Sequence, residues 1–162
     1  MIRSRLAALS LLPLPLLLTA CGSDTVEMTD STWLVSNIYT TPDEPSSISD
    51  LVISQPSLDF GHSSLTGFTG CVPFNGAAEF FHEGTQSSVT DADYVTLSSL
   101  DFDKLPEDCQ GQELEVHNKL VDLLPGSFKI SRTSPSEILL TSDVDDLDKP
   151  AIRLISWIAP TS

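Results

Sequence analysis

Between Cys21 and Lys104 the chain has no lysine or arginine, while 13 aspartates and glutamates fall in the same span. A surface of that sign repels nucleic acid and anionic lipid headgroups, so no nucleic-acid partner is expected. Cysteine is also scarce. There are three and no CxxC pair, which leaves a thioredoxin-like motif and a zinc knuckle without support. Long apolar runs are missing too. Leu6 to Leu18 is almost wholly apolar, yet too short for the roughly 20 residues a bilayer-spanning helix needs. Pro13 and Pro15 interrupt it further. No long internal repeat or low-complexity block is present.

The chain does carry the marks of export. Arg3 and Arg5 form a short basic start, the apolar run follows, and "LTAC" ends at Cys21. This order is the signal-peptide pattern. Its last four residues resemble a bacterial lipobox, in which the cysteine receives a diacylglyceryl group and the peptide is cut just before it. The expected organisation is a cleaved signal over residues 1–20, a lipidated N-terminus and tether over 21–30, and one β domain over 31–160. Two or more acyl chains anchor stably where one is marginal. The mature chain then has six basic residues against 23 acidic ones, a net charge of −17. That charge is read first as a solubilising surface, with a docking face for a basic partner or divalent cations as the functional reading.

With Cys21 assigned to lipid, Cys71 and Cys109 remain as an even pair in an exported protein, a setting in which such pairs are usually oxidised. Two buried free thiols are the other reading. A bond between them would close a loop of 38 residues, for which the chain-entropy estimate is about 4 kcal/mol.

Along the mature chain, Gly22 to Asp30 is polar and acidic and reads as a tether. Thr32 to Thr40, rich in β-branched and aromatic residues, is the first strand candidate. A Pro/Ser/acid loop runs from Pro42 to Asp50. Leu51 to Gln55 and Ser57 to Phe60 follow, with Pro56 marking a break or an edge. "GFTGCVPFNG" (Gly67 to Gly76) continues into Ala77 to Phe81. Tyr94 to Phe102 alternates in part. Gln110 to Leu124 has the helical period instead, with Val116, Leu120, Leu123 and Leu124 in one stripe, Glu115 four before Lys119, and Pro125-Gly126 as the stop. Ser127 to Arg132 and Glu137 to Ser142 read as a hairpin, and Ala151 to Trp157 as the last strand. The fold class is mainly β: a small antiparallel barrel-like or curled sheet of about 7–8 strands with one short helix packed on it.

Candidate chemistry is sparse. No G-x-S-x-G occurs, since "GHSSL" from Gly61 breaks the pattern at Leu65. "GFTGCVPFNG" lacks the lysine of a phosphate loop and has acidic surroundings. His62, His82 and His117 lack metal-ligand spacing, and His117 reads as a surface histidine one face away from the apolar stripe. Asp143, Asp145, Asp146 and Asp148 resemble half a calcium loop without its turn glycine or distal glutamate. They read as a solvated loop, with a weak cation site as the alternative. No cofactor is expected. Trp33, Phe60, Phe74 and Trp157 are assigned to the core or the barrel ends.

The order of segments resembles the META/HslJ-like domain of bacterial envelope lipoproteins. The likeness is carried by "TWLVS" with Trp33, by "SLDF", and by "GFTGCVPFNGAAEF", which keeps Gly67, Gly70, Cys71, Phe74 and Gly76 of the family pattern. Val72 stands where that pattern has asparagine, and "LPEDC" replaces a Met-Ala-Cys element. The likeness runs from Ser31 to about Trp157. It implies a small β-barrel-like fold and an envelope location, with stress tolerance as context, and it brings no catalytic residues. The functional expectation is a non-catalytic protein, anchored through Cys21 to the outer face of the cell membrane or the periplasmic side of the envelope, that binds or stabilises an envelope or membrane protein complex. A small-ligand or divalent-cation binding module is the alternative, and an uncharacterised enzyme the third reading.

Overall fold

The computed structural model describes residues 25–40, 48, 52–145 and 147–157. It is mainly β. Nine strands are present among the described residues: β1 (Thr32–Tyr39), β2 (Ser57–Phe60), β3 (Ser64–Phe68), β4 (Pro73–His82), β5 (Thr85–Gln86), β6 (Tyr94–Phe102), β7 (Gly126–Ser134), β8 (Glu137–Ser142) and β9 (Ala151–Trp157). One helix, α1 (Gly111–Leu123), lies between β6 and β7, and a single 3-10 turn, Met28–Asp30, precedes β1. The order β3-β2-β1-β9-β8-β7-β6-β4 is closed by a β3–β4 pairing, so eight antiparallel strands form a barrel and β5 adds to β4.

Closure follows from the alternation in the strands. In β8, Ile138 and Leu140 are buried while their neighbours are more open, and Ile152 and Leu154 are buried either side of Arg153 in β9, whose first residue Ala151 is buried as well. β1 begins with Trp33 and Val35 inward, then changes phase so that Ile38 faces in. The cause is a register shift between Val35 and Asn37 opposite β9. An eight-stranded barrel leaves an interior just wide enough for side chains. Trp33, Phe80, Phe128, Leu58, Leu65, Leu97 and Ile152 fill it, each fully buried, and Phe60 meets Phe80 edge to face at 6.4 Å. Each such side chain contributes about 1.5–3 kcal/mol on leaving water.

Local differences from the sequence reading have physical causes. Val52 to Gln55 is not a strand, and Ile53 is 92% exposed. Leu51 lies outside the described residues. The segment read as a tether is docked from Val26 onward. Val26 N–H donates to the Pro135 carbonyl at 2.9 Å, and Met28 is buried with its carbonyl accepting the Trp33 indole N–H at 3.0 Å. Trp157 is largely exposed at the end of β9 and does not enter the core.

Candidate functional site

The glycine-rich segment forms the end of β3, a turn, and the start of β4. Gly67 lies opposite Phe74 in the β3–β4 ladder. A side chain at Gly67 would collide with the Ser57 carbonyl and with the Phe74 ring, which lies over the glycine. Gly76 sits at a bulge, where the β4–β6 register shifts between Asn75 and Ala77 and Leu100 covers the backbone. Gly70 turns the chain with φ +99°. Phe74 stacks at 5.1 Å on Phe102 of β6. The residues Gly67, Gly70, Cys71, Phe74 and Gly76 therefore build one seam of the barrel, while Trp33 plugs its interior from β1.

The same turn is locked to α1. Thr69, fully buried, accepts the Val72 N–H at 3.1 Å and the Cys71 N–H at 3.3 Å on its hydroxyl, and the hydroxyl lies 2.8 Å from His117 Nδ1. The hydroxyl also lies 3.2 Å from the Val72 carbonyl, to which it can donate, so the imidazole tautomer sets the direction of the Thr69–His117 bond. Burial pushes the His117 pKa below its ordinary 6.5, which favours the neutral ring. His117 is thus buried, not a surface histidine, with Phe102 edge-on to its ring. The buried helix stripe is His117, Leu120 and Leu124, at i, i+3 and i+7, with Val116 and Leu123 packed beside it. Beside this lock Cys71 and Cys109 are joined in a disulfide with Cα atoms 5.6 Å apart. Ile53 N–H donates to Glu113 of α1 at 3.3 Å. Ile53, Phe68, Gly70 and the two cysteines border a concavity of about 300 Å³. Val72 is buried, so this site presents no polar side chain there.

A larger cleft of about 680 Å³ opens on the outer face of β7, β8 and β9. Leu139 and Ala151 form its apolar floor, with Tyr39, Thr133, Thr141 and Lys149 around it. Register brings Glu137, Leu139 and Thr141 of β8 beside Ile155, Arg153 and Ala151 of β9. Arg153 Nη2 lies 2.8 Å from each Glu137 carboxylate oxygen. The Thr133 hydroxyl also donates to Glu137. The Thr133 bond, and then the Arg153 bond, hold the Glu137 pKa below its usual value, while the Glu137 bond raises that of Arg153. Both groups stay ionised at neutral pH, so the pair can orient a ligand but is poorly placed to exchange protons with one. Lys149 lies 3.8 Å from Asp143. The cleft's volume falls in the range of small-molecule sites, while its lining is more polar and charged than is usual for them.

The other expected sites fall as follows. Cys21 lies outside the described residues, as does Asp146. Asp143 faces Lys149, and among the described residues no three His, Cys, Asp or Glu side chains converge as a metal site. No described helix is long and apolar enough to cross a membrane. His82 lies 3.8 Å from Asp93 at an exposed edge, and His62 is exposed. The sequence reading missed the cleft residues Tyr39, Glu137, Lys149 and Arg153. Alternation in "EILLTS" and "AIRLISW" places Glu137 and Arg153 on the outer face, but their pairing depends on strand register.

No protein-family description matches the chain, and no curated protein matches it. Among solved structures the chain is similar to one titled "NMR structure of the protein from Burkholderia xenovorans". The match has a TM-score of 0.58 and 14% sequence identity, and covers 98% of this chain and 100% of that one. Likeness at that identity establishes the barrel fold.

Proposed function

We propose that this chain is an exported, lipid-anchored protein of the bacterial envelope whose META-like barrel performs no catalysis and binds or stabilises an envelope or membrane protein complex. The observation that supports it is the division of the three cysteines. Cys71 and Cys109 pair with each other, which suits an oxidising compartment, and Cys21 is left alone at the end of "LTAC". The packed interior adds support, because a barrel filled by Trp33, Phe80 and Phe128 offers its outer surface to partners. Thr69 and His117 resemble a nucleophile and its base only in distance. The hydroxyl is fully buried, and its acceptor sites are filled by backbone N–H groups. The cleft on β7–β9 favours a second reading, a small-ligand binding module, with Arg153 and Lys149 at its wall.

Crosslinking in native membranes followed by mass spectrometry tests the first reading. A defined heteromeric adduct through surface residues of the barrel is the expected result. Recovery of monomer alone, under conditions that trap known envelope complexes, contradicts it.

A further inference from the structure

The barrel has two unlike ends. α1, the disulfide and Phe102 close one of them. At the other, β1 begins, β2, β7 and β9 finish, and β8 starts, as shown by the pairings of Thr32 with Asp59 and Trp157, of Ser134 with Glu137, and of Glu137 with Ile155. The N-terminal segment from Val26 is fastened to this second end. Val26 N–H donates to the Pro135 carbonyl in the β7–β8 turn at 2.9 Å, Arg132 Nη1 donates to the Val26 carbonyl at 3.0 Å, and Met28 is buried. Five residue steps separate Cys21 from Val26, a span of at most about 18 Å even when fully extended.

A second observation marks the same end. Trp157 is 59% exposed and Ile155 is 37% exposed. Trp157 is the cross-strand partner of Thr32, and the Ser31 hydroxyl donates to its carbonyl at 3.4 Å. Tryptophan has an apolar ring with one polar N–H, the combination that settles at the headgroup level of a bilayer. Glu27, Asp30, Asp59 and Glu83 belong to the segments and turns at this end. Their sign disfavours an anionic surface.

We infer that the barrel rests on the bilayer with this end down, Trp157 seated among zwitterionic headgroups. The inference depends on the lipid anchor at Cys21 and adds to it a fixed orientation. The short span from the anchor keeps the end carrying Pro135 and Trp157 at the surface at high effective concentration, so even a modest tryptophan contribution holds it there. The helix end, with exposed Ile53 and Leu147, then points away from the membrane, roughly 20 Å off by the length of β7 and the tilt of barrel strands. That end is left free for a protein partner.

The test uses the full lipidated chain in phosphatidylcholine vesicles. Trp33 is fully buried and gives a constant background; Trp157 gives the responsive emission. Brominated phosphatidylcholine should quench most of the Trp157 emission, while acrylamide in the water should quench little of it. Trp157→Phe should remove the bromolipid-sensitive component, and adding phosphatidylglycerol should weaken it. Mass analysis of the same sample reports acylation of Cys21. An acylated, vesicle-bound protein whose Trp157 stays open to acrylamide and insensitive to bromolipid overturns the orientation and leaves the anchor standing. Quenching that strengthens with phosphatidylglycerol overturns the zwitterionic preference. Absence of acyl groups on Cys21 overturns both the anchor and the orientation.

Discussion

A single histidine shows how a residue's role depends on what other elements bring to it. Hydropathy alone puts His117 off the apolar stripe, which Val116, Leu120 and Leu123 mark. Its own spacing to Leu120 and Leu124 is the signal that was available, and that spacing puts it on the buried face. What the helix sequence does not contain is the partner: the Thr69 hydroxyl arrives from the β3–β4 turn, 48 residues earlier. Replacing His117 by alanine removes the ring partner of that hydroxyl and opens space beside Phe102. The expected loss is about 1–3 kcal/mol of unfolding free energy, read by denaturant melts. The pH dependence has a definite sign. Burial lowers the folded pKa, so the unfolded chain binds the proton first as pH falls. The stability supplied by the neutral ring is fully present above about pH 6.5 and is lost as pH drops through the lowered folded value. His117→Phe should flatten that part of the profile. An unchanged slope in the variant would show that His117 does not titrate with folding.

At the scale of elements, α1 has little to hold it except its ends and one face. Its N-cap Gln110 makes no side-chain capping bond, and its helical pair Glu115–Lys119, at 3.0 Å, is solvent-facing and contributes only a few tenths of a kcal/mol. Attachment comes instead from Leu120 and Leu124 in the core, the Thr69–His117 bond, and the disulfide just before the helix. Changing both Cys71 and Cys109 to alanine should therefore cost about 4 kcal/mol by the loop-entropy estimate. Hydrogen exchange should locate the loosening in α1 and the 69–72 turn, with β7–β9 still protected. Uniform loss of protection across the barrel would contradict this division. Strands were legible where alternation was clean: Tyr94–Phe102, Glu137–Ser142 and Ala151–Trp157 have the bounds read from the sequence. The β3–β4 seam was harder. Gly67, Gly70 and Gly76 have no side chains to alternate; the use of Gly67 and Gly76 appears only when Ser57, Phe74 and Leu100 lie against them, and that of Gly70 only in its φ of +99°.

For the whole molecule, the strands speak about shape, while the charge and the cysteines motivate the proposed location, and neither names a partner. The barrel was legible as a class because seven or eight short strands with one helix have few ways to bury their apolar faces. The cleft was not, because it is made by register between β8 and β9 and by Tyr39 beside them, which a single sequence does not encode in any local pattern. On the proposed mature chain, a net charge of −17 would keep the tethered barrel away from anionic surfaces, which agrees with an orientation set by a short anchor and one tryptophan. The central claim is that the chain is exported, cut before Cys21, acylated there, and oxidised at Cys71–Cys109. Intact mass of the protein extracted from bacterial membranes tests all four parts at once. The account predicts a chain beginning at Cys21, carrying a diacylglyceryl group or a fuller acyl set, and lighter by two hydrogens than its reduced form. A chain that retains residues 1–20, or that begins at Cys21 without lipid, would contradict it.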